Sequence, residues 1–259
     1  MDSYKVWITK TDGLSDLIMT IQQEEINQLN SEFRNATLIE VLAYVLDRFQ
    51  DNVILASSLG LEDQILTHFV QRHSKKARIM VLDTLRLNQE TYDLLKQMQE
   101  EYQVTYEIYY PNNDAVEALV STKGTHSFYE SIENRKECCH IRKIEPLTRV
   151  LKTVDAWITG LRKDQSVTRQ DMALFEYDQT HKILKVNPLI HWDYETVRNV
   201  IKAEKIPYNA LHDQGYPSIG CEPCTRAVKE GEDIRAGRWW WEAADQKECG
   251  LHSKKDNQS

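Results

Sequence analysis

No apolar run in this 259-residue sequence is long enough to cross a bilayer, which removes the helical integral-membrane classes. Positive charge is in deficit: 32 Lys and Arg face 40 Asp and Glu, a formal charge of −8 that argues against a nonspecific nucleic-acid binder. The opening stretch MDSYKVWITKTDG lacks a cationic segment leading into an apolar one, so no signal peptide is read and a cytoplasmic location is expected. Internal repeats, low-complexity tracts and Pro/Ser-rich linkers are also missing, and one α/β domain spanning 1–259 is the simplest account. Cysteine is scarce. With five in all, and thiols held reduced in a cytoplasm, a disulfide framework is not expected.

What is present alternates. Apolar residues at three- and four-residue spacing predict helices over 15–30 and 36–49. The short apolar run NVILAS (52–57) predicts a buried strand, followed by a helix over 61–73. Strands at 77–83 and 104–110 are each followed by helices, at 88–102 and 114–121. Further on, 155–160 reads as a strand, 173–178 and 183–190 as a hairpin-like pair, and 193–205 as a helix. Strand–helix alternation at this spacing predicts a mostly parallel sheet with helices on both faces.

The first strand runs into ASSLGLED, a small-residue turn opening a helix. Backbone N–H groups at such a turn form an anion site, although Ser and Gly also serve merely to turn the chain. The GK[ST] ending of a P-loop is missing, as is GxGxxG. The loop resembles that of the adenine-nucleotide α-hydrolase-like superfamily (PP-loop type), patterned SxSGGxDS, with Leu59 and Leu61 replacing its second serine and second glycine. The turn VLDTLRLNQETY, at the end of the second strand, fits the same resemblance and lies beside the first loop, where open sheets bind nucleotides.

Three basic clusters stand out from the acidic whole: Arg142 and Lys143, then Arg162, Lys163 and Arg169, then Arg235 and Arg238. Solvated surface is the ordinary explanation for basic pairs, but each of these borders a Gly or Cys feature. A thiolate approaching a sulfate or phosphate meets about 4 kcal/mol of repulsion per charge at about 4 Å and an effective dielectric near 20. Guanidinium groups offset it. The run Trp239–Trp240–Trp241 reads as packing, since nothing alternates with it to suggest base stacking.

Four of the cysteines fall in pairs: Cys138–Cys139 adjacent, and Cys221 with Cys224 in a CxxC spacing, 81 residues separating the pairs. Cys249 stands alone near the end. A four-cysteine zinc site competes for the two pairs, but zinc ribbons draw on two CxxC knuckles, and adjacent cysteines converge poorly on one small ion. A cubane has four iron corners, so neighbouring sulfurs can take separate irons, which favours a [4Fe-4S] cluster.

ECCHIRKIEPL, GLRKDQSVTR, GCEPCT, GEDIRAGRWWWE and KECGLH occur together and in order. Over roughly 50–252 the chain resembles the assimilatory adenylyl-sulfate (APS) reductase family, the iron–sulfur branch of the APS/PAPS reductases. The resemblance implies thioredoxin-dependent reduction of adenosine 5'-phosphosulfate to sulfite and AMP, with Cys249 as nucleophile and an S-sulfocysteine intermediate. It implies a [4Fe-4S] cluster on Cys138, Cys139, Cys221 and Cys224. Ser57, Gly60 and Gly160 are expected near the nucleotide, and Leu85 as a backbone contact to adenine. Lys143, Arg235 and Arg238 are expected around the phosphosulfate, with Arg169 in the site and His252 touching substrate or assisting the tail. The expected layout is N-terminal helices over 1–50, a nucleotide-binding core over 51–214, a cluster and basic loop over 215–238, and a mobile tail over 239–259. A reductase that also accepts PAPS, an ATP-using sulfur-transfer enzyme and a non-enzymatic iron–sulfur or zinc sensor are the alternatives; homo-oligomerisation is left open.

Overall fold

The computed structural model describes residues 15–165 and 169–243. Two helices open it, α1 (Ser15–Glu32) and α2 (Leu38–Phe49). Thr37 caps α2 in a reciprocal box with Glu40, and the helix buries Leu38, Val41, Leu42, Val45 and Leu46, the stripe its sequence spacing predicts. The sheet then begins with β1 (Val53–Ser57), α3 (Leu61–His73), β2 (Arg78–Leu82), α4 (Gln89–Glu100) and β3 (Glu107–Tyr109). Next come α5 (Asn113–Lys123), α6 (Ile132–Cys139) and α7 (Glu145–Leu151). β4 (Ala156–Ile158), β5 (Phe175–Asp178), β6 (Ile183–Val186) and α8 (Tyr194–Ala203) complete the order.

The strands lie in the order β3-β2-β1-β4-β6-β5, all parallel except the edge strand β5, which pairs antiparallel with β6 as the expected hairpin. Alternate residues of the central strands face two apolar clusters. Val53 and Leu55 join Ile79, Val81 and Ile158 on the side covered by α2, α3 and α8, while Ile54 joins Met80, Trp157 and the α7 residues Leu147, Val150 and Leu151. Helices on both faces, as the alternation predicts, follow from that division. β6 stops at Val186 rather than running to 190 because Pro188 lacks the N–H a continuing strand would donate.

Two features position the site. The chain winds outward through β1, β2 and β3, then returns to the other side of β1 for β4, so the carboxyl ends of β1 and β4 flank the point where the winding reverses. The other is a π-helical turn, His140–Ile144, joining α6 to α7. It coincides with Pro146, which supplies no N–H to the carbonyl of Arg142 four residues back.

The described chain stays packed past residue 239, where the tail is expected to begin. Trp239 is buried against the cysteines, Thr225 bridges Arg238, and Glu242 is held in a buried ion pair, so the packed body extends to Glu242.

Candidate active site

A cavity of about 250 Å³ opens at the carboxyl ends of β1, β2 and β4. The end of β1 and the loop after it supply Ser57, Ser58 and Gly60, the loop after β2 supplies Thr84, and the loop after β4 supplies Thr159 and Gly160. Arg169, Lys143, Arg235 and Arg238 line it from outside the sheet.

The β1 loop is tightly braced. Leu59 is buried with φ +62, and its N–H donates to Ser57 Oγ at 3.2 Å. The N–H and hydroxyl of Ser58 both donate to Asp63 Oδ2, at 2.7 and 2.6 Å. Burial pushes the Asp63 carboxyl up to about 6, against the lowering effect of the Ser58 bonds, with the Glu62 charge adding to the rise. The loop therefore spends two of its donors on its own aspartate. Gly60 starts α3 without a side-chain cap, so the first turn stays open towards the cavity. Gly160 is glycine for a reason of space: a Cβ there would overlap Asp63 Oδ1 and lie 2.9 Å from Glu62 Cβ.

The basic residues divide by partner. Arg162 is buried and committed, with Nε 2.8 Å from Glu62 and Nη1 3.0 Å from Asp164. Arg169 is also buried and donates to the Gln165 side-chain carbonyl. Arg238 lies over the Trp239 ring, 4.7 Å from its centroid, and among the described residues donates to a hydroxyl and a carbonyl at 3.3–3.4 Å. Its Nε has no partner among the described residues. Gly220 makes room for this guanidinium, since a Cβ would stand 2.9 Å from Nε. Arg238 thus keeps its charge directed at the cavity, supported by packing more than by ion pairing.

Leu85 sits at the rim. Its side chain is exposed, its φ is +60, and its N–H is already donated to Asp83 Oδ1 at 2.7 Å. Its neighbour Thr84 lines the cavity; Leu85 itself does not.

Beside the cavity the two cysteine pairs meet. Cys138 and Cys139 end α6, and Cys221 precedes a single 3₁₀ turn, Glu222–Cys224, that Cys224 ends. All four are free thiols, and they line one small space together with Arg86, Phe128, Arg135, Arg142 and Lys143. Lys143 borders both this space and the large cavity. The π turn makes that arrangement: one continuous helical segment aims two cysteines one way and a lysine between the two spaces.

The thiols differ electrostatically. Burial raises Cys138, and burial with the neighbouring Cys221 and Cys139 pushes Cys224 up to about 12. Burial would also raise Cys221, but Lys143, the Thr84 hydroxyl 3.3 Å from its sulfur, Arg238 and Arg142 outweigh it and leave this thiol lowered. Among the described residues, no three His, Cys, Asp or Glu side chains converge to hold a single metal ion.

The structure brings Ser57, Gly60, Gly160, Lys143, Arg169, Arg235 and Arg238 to one cavity and the four paired cysteines to the adjoining cage. Cys249 and His252 lie outside the described residues. Sequence reasoning missed Ser58 and Asp63; Arg142, singled out there as part of a basic cluster, donates from its guanidinium to the Thr84 carbonyl at 2.7 Å. The aspartate of the SxSGGxDS pattern was the available signal for Asp63. No helix among the described residues is long and apolar enough to cross a membrane.

Residues 52–227 match the phosphoadenosine phosphosulfate reductase domain. Proteins named adenosine 5'-phosphosulfate reductase from Burkholderia cepacia and Allochromatium vinosum are 50% and 47% identical to this chain. Those matches cover 82% and 85% of this chain and 84% and 86% of theirs. The crystal structure of a phosphoadenylyl-sulfate (PAPS) reductase from Candida auris, a phosphate complex, superposes with a TM-score of 0.68 at 31% identity, over 80% of this chain and 97% of that one. An FMN adenylyltransferase from Candida glabrata, at 13% identity and a TM-score of 0.51 over 90% of this chain and 76% of its own, shares the fold alone. Identity at this level over most of its length makes the chain a member of the phosphoadenosine phosphosulfate reductase family, alongside proteins named adenosine 5'-phosphosulfate reductase.

Proposed function

We propose that this protein reduces adenosine 5'-phosphosulfate to sulfite and AMP with thioredoxin as electron donor, through an S-sulfocysteine on Cys249. The observation that carries the reading is Lys143, shared between a nucleotide-sized cavity at the sheet's reversal point and a cage of four free cysteines. The adenosine end fits the β1 and β4 loops, and the phosphosulfate end fits Lys143, Arg235 and Arg238. His252 is read as a tail residue that helps meet the substrate.

The thiolate of Cys249 attacks the sulfate sulfur, the S–O bond to the phosphate breaks, and AMP leaves with that electron pair. A thiolate of reduced thioredoxin then attacks the Cys249 sulfur and expels sulfite. The second thioredoxin thiol closes its disulfide and returns Cys249 as thiolate. The dithiol supplies both electrons. Lys143, Arg235 and Arg238 offset the repulsion between thiolate and phosphosulfate and hold the oxygens for in-line attack. Such thiol chemistry belongs in a reducing compartment such as the cytoplasm.

The donor set of the cage supports a [4Fe-4S] cluster: four free cysteines line one small space, and the adjacent Cys138 and Cys139 suit separate irons better than one small ion. Cys138, Cys139, Cys221 and Cys224 would hold it. When bound, it supplies a fixed charge beside Lys143 and a tie between α6 and the CxxC turn. Anaerobic purification with iron and sulfide analysis, followed by sulfite assay from APS with thioredoxin, tests the whole reading. A brown protein that releases sulfite is expected; a colourless zinc protein overturns the cofactor assignment. A second reading, a reductase that also accepts PAPS, is tested by comparing kcat/KM for the two nucleotides, and equal values would replace the APS assignment.

The packing at Gly160 gives a further expectation. Gly160→Ala should force Asp63 or Glu62 aside and lower kcat/KM for APS by about 10- to 100-fold, since small misplacements at a reacting site cost this much. Steady-state kinetics beside a thermal melt checks it; wild-type kcat/KM would mean that the β1 loop yields without loss.

A further inference from the structure

We infer that the exposed aromatic patch formed by His126, Tyr129 and Trp240 is the docking surface for the dithiol protein that regenerates the enzyme. The inference rests on the reading under Proposed function, that sulfite leaves by thiol exchange with such a protein.

Trp240 and Tyr129 each keep 39% of their surface exposed. They are also firmly held. Trp240 meets Trp241 edge-on at 4.8 Å and Tyr129 at 6.1 Å. Tyr129 in turn packs edge-on to Trp241 at 4.4 Å and stacks parallel to the exposed His126 ring. Beneath them Phe128 is buried, with the Arg86 guanidinium 5.0 Å from its ring centroid. The Tyr129 hydroxyl donates to the Pro223 carbonyl at 2.5 Å, which fixes the patch to the cysteine turn. A rigid platform of Trp and Tyr left open to water has the composition of an interface anchor.

The path of the chain says what docks there. Glu242, two residues past Trp240, is tied into the body by Arg135. Cys249 follows seven residues later. Fully extended, those seven residues span at most about 25 Å. A folded protein whose thiolate reaches Cys249 must therefore bring its body within that distance of Glu242, and the patch lies inside the radius. A protein that offers a surface thiolate to another protein's sulfur presents it on an exposed, uncrowded face. The aromatic patch gives such a face a seat without using any group of the cavity.

The test uses the full chain, anaerobically, with Trp240→Ser, His126→Ala and Trp240→Phe. The readouts are sulfite release against thioredoxin concentration, sulfite release driven by dithiothreitol, AMP release in a single turnover without reductant, and oligomeric state by light scattering. Trp240→Ser should raise KM for reduced thioredoxin about tenfold, the loss typical of a central aromatic anchor. His126→Ala should raise it less, and Trp240→Phe should recover most of the loss. Dithiothreitol-driven turnover and the single-turnover AMP yield should match the wild type.

An unchanged KM overturns the inference. So does equal slowing with dithiothreitol or in AMP release, which would assign the patch to the site or to the chain's own tail. A change in oligomeric state with KM unaltered would assign it to a second copy of the chain and likewise overturns it. A wild-type protein that yields sulfite with dithiothreitol but never with thioredoxin defeats the functional reading as well, and so separates the two failures.

Discussion

Cys249→Ser should abolish sulfite formation from APS, by at least about 10⁴-fold in kcat, while iron and sulfide content stay at wild-type values. Two steps fail together. A serine hydroxyl is not ionised at neutral pH without a base, so the S–O bond to phosphate is not attacked and AMP is not released. A sulfate ester on serine, if one formed, would put oxygen where the cysteine adduct has the sulfur that a thiol attacks, so sulfite would still not leave. The substitution leaves the four thiols that would hold a cluster, Cys138, Cys139, Cys221 and Cys224, unchanged. Sulfite and AMP assays beside iron analysis separate the possibilities: retained turnover would point to a sensor, and lost iron would draw Cys249 into the cage.

Glu242→Ala should destabilise the fold by about 3–5 kcal/mol, the usual cost of removing one member of a buried ion pair. The Arg135 and Glu242 side chains are 1% and 4% exposed, and two hydrogen bonds of 2.9 and 2.8 Å join them side by side. Without the carboxylate, the Arg135 guanidinium remains buried 4.8 Å from the Trp239 ring with its main partner gone. A paired Arg135→Met, Glu242→Leu variant should recover most of the stability, because the cost lies in keeping the guanidinium buried without its paired carboxylate rather than in the lost attraction. Denaturant midpoints at matched iron content check both variants. A loss below about 1 kcal/mol in Glu242→Ala would show that Arg135 finds another acceptor. Activity should also fall in Glu242→Ala, since the chain leading to Cys249 would start from an unanchored point.

Much of the core could be read before any coordinates, because each buried strand carries its own signature. VILAS and RIMVL each carry an unbroken apolar stretch, VILA and IMVL, that faces helices on both sides, and FEYD with ILKV forms the antiparallel edge pair. The cysteine spacing likewise announced a common site. The rest depended on what lies across space. Nothing local to Arg162 says that Glu62, a hundred residues earlier, neutralises it. Nothing local to Ser58 says that its donors turn inward to Asp63. The three tryptophans share no period, so their division into buried Trp239 and exposed Trp240 follows only from the turn that carries them. The π turn escaped for a related reason: a one-residue widening leaves the apolar pattern nearly intact while it redirects Lys143.

The cage also has a history within each molecule's synthesis. Cys139 and Cys221 are 82 positions apart, and a ribosome adding about 5–20 residues per second needs roughly 4–16 s to make that interval. During that time the first thiol pair has been made and its partners do not yet exist. β4, β5 and β6 must also be made and added to the sheet before the CxxC turn can come to rest against α6. Whatever fills the cage is therefore seated last, on a scaffold whose nucleotide loops are already built.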